Sequence, residues 1–181
     1  MKVVHRGSKD PSSPFAVVLP GSGYPASAPL LHWPARLLAA SGWRLAVVEW
    51  SPQTEGGDDP VRFVLGALEQ AADGDEPDLL VTKSLGSLAA PWAAEQAVPG
   101  VWLTPLLEEA PVLEALRVMD EGSIAVGGTA DSHWRTGALD DAAIEVLEVE
   151  GAGHTLELPD WRASLDAHQA VVDRLAAHLG A

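Results

Sequence analysis

Six short runs of apolar, largely β-branched residues recur along this chain: FAVVLP at 15–20, RLAVVEW at 44–50, LLVTKS at 79–84, GVWLTPL at 100–106, SIAVGG at 123–128 and AIEVLEVEG at 143–151. Each is short for a helix, and most lack the strict alternation of a half-exposed strand, so they read as strands buried on both faces. Between them lie segments with helical apolar spacing: PLLHWPARLLAAS, DPVRFVLGALEQAA, SLAAPWAAEQA, PVLEALRVM and DWRASLDAHQAVVDRLAAHL. Strands alternating with helices imply right-handed crossovers and a parallel sheet with helices on both faces. The expected fold is therefore α/β, a three-layer α/β/α sandwich around a mostly parallel sheet of six to seven strands. MKVV at 1–4 would supply the seventh at an edge.

At 181 residues, with no internal repeat, low-complexity tract or composition break, the chain is expected to form one domain over 1–181. An apolar fraction of 47% with 20% charged residues suits a packed core. The charge is lopsided, 26 acidic against 11 basic side chains for a formal net of −15. Such a surface repels phosphate backbones and anionic lipid, so nucleic acid and membranes are not expected partners. The absence of cysteine excludes disulfides, thiolate metal sites, iron–sulfur clusters and a Cys nucleophile. No stretch reaches the roughly 18 apolar residues of a membrane span, and the N-terminus lacks a signal-like apolar region. The expectation is a soluble, cytoplasmic monomer or homodimer, with no cofactor and no metal implied. The acidic stretches at 52–60 and 72–78 read as surface loops.

In open parallel sheets, ligands bind beyond the carboxyl ends of the strands. Four such positions carry chemistry-bearing residues. VTKSLGS puts Ser84 between a strand and an Ala-rich helix, where a serine also serves as a helix N-cap. LPGSGYP makes a glycine-flexed loop after the first long strand. GGTADSHW places Asp131 after the fifth, and VEGAGHTLE places His154 after the sixth. Taken singly, a loop aspartate or histidine is most often a solvated residue. The order Ser, Asp, His at three strand ends is the informative feature. His133 lies beside Asp131, but two ligands without a third make a poor metal site. His133, like His5, His168 and His178, reads as a surface histidine.

These motifs and their element order resemble the α/β-hydrolase superfamily over roughly residues 15 to 178. VTKSLGS resembles its GxSxG nucleophile elbow, with Thr82 where the first glycine usually stands, and Pro20 replaces the usual histidine of the oxyanion loop. LPGSGYPASAPLLHWPARLLAASGW with the KSLG elbow resembles the compact, lidless, dienelactone-hydrolase-like branch. The resemblance implies that Ser84 is the nucleophile, His154 the general base and Asp131 the acid that orients it. It also implies an oxyanion hole from the backbone N–H of Leu85 with that of Ser22 or Gly23, and a substrate site bordered by Tyr24 and Trp134. The implied reaction is hydrolysis of a small ester or thioester, a small-molecule acyl substrate. The same triad also serves acyltransferases, and a non-catalytic binding or scaffold protein can retain the fold.

Four finer expectations follow. Only the 16 residues 107–122 join GVWLTPL to SIAVGG, enough for one helix and no lid. A β-branched Thr82 requires a small neighbour on the adjacent strand. Lys83, directly before the serine, is expected to pair with an acidic neighbour such as Glu49 or to meet an anionic substrate. Most of the seven tryptophans read as core, with Trp134 and then Trp50 as pocket candidates.

Overall fold

A computed structural model describes residues 1–51 and 57–180. Seven strands form one sheet: β1 (Lys2–Gly7), β2 (Phe15–Leu19), β3 (Arg44–Glu49), β4 (Leu79–Lys83), β5 (Gly100–Leu103), β6 (Ile124–Gly128) and β7 (Glu145–Val149). Their spatial order is β1-β3-β2-β4-β5-β6-β7. β1 runs antiparallel to β3, and every other pairing is parallel. The expected sheet is thus present, and MKVV lies in an edge strand that runs on to Gly7. β2, β4, β5 and β6 are buried along their whole length, which is why their sequences are continuously apolar rather than alternating.

Helices α1 (Pro29–Ala40) and α5 (Trp161–Leu179) cover one face. Leu31, Leu38, Val171 and Leu175 pack there on Val18, Val47, Val81 and Val126. Helices α2 (Pro60–Ala72), α3 (Ala90–Glu95) and α4 (Ala110–Arg117) cover the other. There Val64, Leu68, Ala93 and Leu116 meet Val17, Leu80, Trp102 and Ala125. Alternate residues of each strand therefore feed two separate cores. The helices begin as their sequences indicate. Asp59 accepts the Arg62 N–H at the start of α2, and Asp160 accepts the Ala163 N–H at the start of α5. Between β5 and β6 stands α4 and no lid. The predicted loop at 52–60 lies partly outside the described residues. No helix of the described residues is long and apolar enough to cross a membrane.

Candidate active site

At the carboxyl end of β4 the backbone leaves the strand at Lys83 (φ −132°, ψ 134°) and turns sharply at Ser84, whose φ is +48°. A non-glycine residue in that region stores of order 1–3 kcal/mol of strain. The chain then runs into a 3₁₀ turn, Ser84–Ala89, before α3. Lys83, not Ser84, stands at the N-cap of this turn, so the N-cap alternative does not hold. The turn is possible because of Gly86: a Cβ there would stand 2.6 Å from the Leu19 carbonyl oxygen. The tight approach of helix to strand is thus made at Gly86. Thr82 is fully buried between its strand partners Leu19 and Trp102, so the expected small neighbour is not there.

Two further glycines bring the acid and histidine loops together. A Cβ on Gly128 would lie 2.1 Å from the Ala152 carbonyl oxygen, so the loop after β7 lies directly on the end of β6. The Ala130 N–H donates to that same carbonyl at 3.0 Å. A Cβ on Gly127 would fall 2.0 Å from the Trp134 ring. Trp134 therefore sits in the core beneath the acid loop, 7% exposed, with Nε1 donating to Glu148 Oε1 at 2.6 Å. It was expected at the substrate site and is placed in the core instead.

These close approaches align Asp131, His154 and Ser84. His154 Nδ1 stands 2.7 Å from Asp131 Oδ2, and His154 Nε2 stands 2.8 Å from Ser84 Oγ. Asp131 is buried, and its other oxygen accepts the His133 backbone N–H at 3.0 Å. Burial raises the Asp131 pKa, but the bonds from His154 and the His133 N–H, with the nearby imidazoles, outweigh it and hold the carboxyl below its usual range. An ionised carboxylate only accepts, so Nδ1 carries the imidazole proton and Nε2 is left to accept from the Ser84 hydroxyl. Ser84 and His154 are half-buried and open to a ligand. His168 on α5 braces the histidine loop by donating Nε2–H to the Thr155 carbonyl at 3.0 Å.

The turn after β2 abuts Ser84: a Cβ on Gly21 would stand 3.4 Å from Ser84 Cβ. The Gly21 N–H is taken by the Tyr24 carbonyl at 3.2 Å, and Trp50 Nε1 donates to the Gly21 carbonyl at 3.2 Å. Trp50, weighed as a pocket residue, thus anchors this turn. Gly23 takes φ +75°, which glycine alone adopts freely. The Tyr24 hydroxyl accepts the Leu30 N–H at the start of α1, at 3.1 Å. Leu85 sits in the first turn of the 3₁₀ segment, where N–H groups lack intrahelical partners.

Sequence reasoning missed two neighbours. His133 Nδ1 bonds to Glu108 Oε1, and its ring meets that of His154 edge-on, with centroids 4.8 Å apart. Glu108 thus faces His133 and not His154. Lys83 does not pair with Glu49, whose partner is Lys2 at 3.6 Å. Lys83 is 1% exposed, with Nζ 4.7 Å from the centre of the Tyr24 ring. Strand parity alone puts its side chain inward, on the face of Val81. His178 is also less exposed than expected, with Nδ1 bonded to Glu145 at 2.9 Å. Among the described residues no group of three or more metal-ligating side chains is assembled. A cleft of about 1280 Å³ lies along α2, against the segments Gly74–Asp78 and Gln96–Pro99 that lead into β4 and β5.

No family model matches the sequence, and no curated protein does. Solved structures do. An α/β serine hydrolase homologue from Coxiella burnetii is similar with a TM-score of 0.69 at 16% identity, covering 96% of this chain and 91% of that one. A lidless α/β serine hydrolase from Xanthomonas campestris has a TM-score of 0.68 at 14% identity, covering 98% and 88%. A dienelactone hydrolase from Anabaena variabilis has a TM-score of 0.66 at 16% identity, covering 98% and 92%. Identities this low speak to architecture alone, and on that the sheet order, the elbow and these neighbours agree: the chain has the α/β-hydrolase fold in its lidless form.

Proposed function

We propose that this protein is a serine hydrolase that cleaves small ester or thioester substrates through an acyl-enzyme. The observation that carries the reading is the continuous relay from Asp131 through His154 to Ser84, ending on a serine held at positive φ. Strain of that kind is retained where it aims a side chain.

In this reading Ser84 Oγ attacks the acyl carbon as its proton passes to His154 Nε2, and Asp131 stabilises the imidazolium. Negative charge collects on the former carbonyl oxygen. The backbone N–H of Leu85 and that of Ser22 or Gly23 would receive it, each such donor contributing about 3–4 kcal/mol. His154 then returns the proton to the departing alcohol or thiol. Water, deprotonated by the same imidazole, releases the acid and regenerates Ser84. Tyr24 borders the entry. The neighbours' serine-hydrolase descriptions support the reaction class, and the continuous sheet supports residues 1–181 acting as one hydrolase domain.

A fluorophosphonate probe tests this directly, because it phosphonylates only a serine activated by its base. Mass spectrometry should find the adduct on Ser84 in the wild type, and His154→Ala should abolish it. An adduct elsewhere, or none in folded protein, removes the assignment and leaves a non-catalytic protein with a hydrolase fold.

A further inference from the structure

Lys83 is an expensive residue where it stands. Lysine is almost never fully buried without a partner, because an ammonium removed from water must recover its hydration elsewhere. Here the side chain is 1% exposed, and among the described residues no carboxylate lies within ion-pairing distance of Nζ. Nζ stands 4.7 Å from the centre of the Tyr24 ring, and the charge of Asp131 also acts on it. The stem passes beneath the turn after β2, where a Cβ on Gly21 would lie 3.5 Å from Lys83 Cδ. A methionine would fill that space without the cost of desolvation. The charge is placed one residue before Ser84 and under the turn that faces it.

We propose that Lys83 is a positioning residue: its buried ammonium holds the Tyr24 ring and so seats the Gly21–Tyr24 turn against Ser84, with the turn's backbone N–H groups toward the developing oxyanion. The inference rests on the hydrolase reading above. Tyr24 is fixed at its far end by the Leu30 N–H, so a cation against its face completes a two-point anchor for the turn. The titratable groups that face Lys83 are Tyr24 from the turn after β2 and Asp131 from the loop after β6. Glu157, from the loop after β7, acts on the Tyr24 phenol. α1 and α5 pack on this face of the sheet through Leu31, Leu38, Val171 and Leu175. Burial pushes the Lys83 amine down to about 8, with the charge of Asp131 opposing the shift. The anchor is therefore charged at neutral pH and is lost as the pH rises through about 8.

The rate of fluorophosphonate labelling at Ser84, followed from pH 6 to pH 10, reads this without knowledge of the substrate. In the wild type the rate should hold near pH 7 and fall as Lys83 loses its proton above about pH 8. Lys83→Met should label about 10- to 100-fold more slowly at pH 7, as expected for a slightly misplaced oxyanion donor. It should show no fall near pH 8, and its thermal midpoint should be raised, since a buried charge has gone. Tyr24→Leu removes the ring that favours the charged amine, so the fall should move to lower pH. A wild-type rate that stays flat from pH 7.5 to 10 overturns the proposal, as does Lys83→Met labelling at the wild-type rate. Either result with Ser84 still labelled leaves the hydrolase reading intact, whereas an unlabelled wild-type Ser84 at every pH overturns both.

Discussion

Replacing Asp131 by asparagine changes one atom and, on this geometry, reverses the direction of a hydrogen bond. Two groups contact the carboxylate: the His133 backbone N–H at Oδ1 and His154 Nδ1 at Oδ2. The backbone N–H can only donate, so it claims the oxygen of the new amide and leaves the NH₂ facing His154. Nδ1 must then accept, which moves the imidazole proton to Nε2. That nitrogen stands 2.8 Å from Ser84 Oγ and could no longer take the serine's proton. A wrong tautomer of this kind costs about 10⁴ in kcat, roughly 5.4 kcal/mol of transition-state stabilisation. KM should barely move, because the site's shape is unchanged. The fold should survive, although not without loss. Asp131's folded pKa lies below its unfolded value, so the ionised group stabilises the protein above pH about 4. The stability gap between wild type and variant should therefore be present at neutral pH and close as acid protonates the carboxylate. Hydrolysis of p-nitrophenyl butyrate at pH 7, with urea melts at pH 7 and in a series descending below pH 4, measures both effects. A variant retaining more than about a tenth of wild-type kcat would refute the tautomer reasoning. So would Glu108→Gln or Asp120→Asn proving the more damaging change.

Gly86→Ala puts a methyl group 2.6 Å from the Leu19 carbonyl oxygen, where only backbone movement can relieve it. Denaturant melts should show a loss of about 1–3 kcal/mol, with Ser84 labelling slowed as the elbow lifts; unchanged stability would contradict the close approach. Across p-nitrophenyl acetate, butyrate, octanoate and palmitate, kcat/KM should peak at the short chains. No lid stands between β5 and β6 to bury the roughly 0.8 kcal/mol per methylene that rewards long ones, and a steady rise to palmitate would reveal an apolar groove.

How far the sequence was legible depended on whether the relevant physics was local. The central strands announced themselves because burial on both faces leaves no polar alternation, and β1 was faint because an edge strand needs little hydrophobicity. The GG at 127–128 closes a run that reads as a strand, and the reason for two glycines there is distant: the Trp134 ring fills one Cβ position and the Ala152 carbonyl the other. Thr82 looked like a defect in the elbow because the pattern does not say which glycine carries the close approach. On sequence grounds Lys83 reads as pairing with an acidic neighbour such as Glu49 or as meeting an anionic substrate. Strand parity could have set it inward, but nothing local indicates that Tyr24, 59 positions earlier, covers it. The meeting of Glu108, His133 and His154 likewise joins three separate loops, and only the assembled sheet ends create it.

The distribution of buried charge separates the site from the scaffold. Among the described residues the buried polar side chains are Thr82, Lys83, Ser87, Thr104, Ser123 and Asp131. Ser87 and Ser123 serve the backbone, accepting the N–H groups of Leu106 and Gly100. Two of the six are ionisable, and they are Lys83 and Asp131. In a chain with a formal net charge of −15, exposed charge is abundant, so burying two more charged groups brings no solubility and costs desolvation. One of these groups is bonded to the His154 imidazole, and the other lies under the turn that faces Ser84. On the proposed mechanism Asp131 favours the imidazolium, and Lys83 seats the turn whose N–H groups receive the anion formed at the substrate oxygen. A scaffold that merely kept the fold would gain stability by losing the buried Lys83 charge and the strain at Ser84.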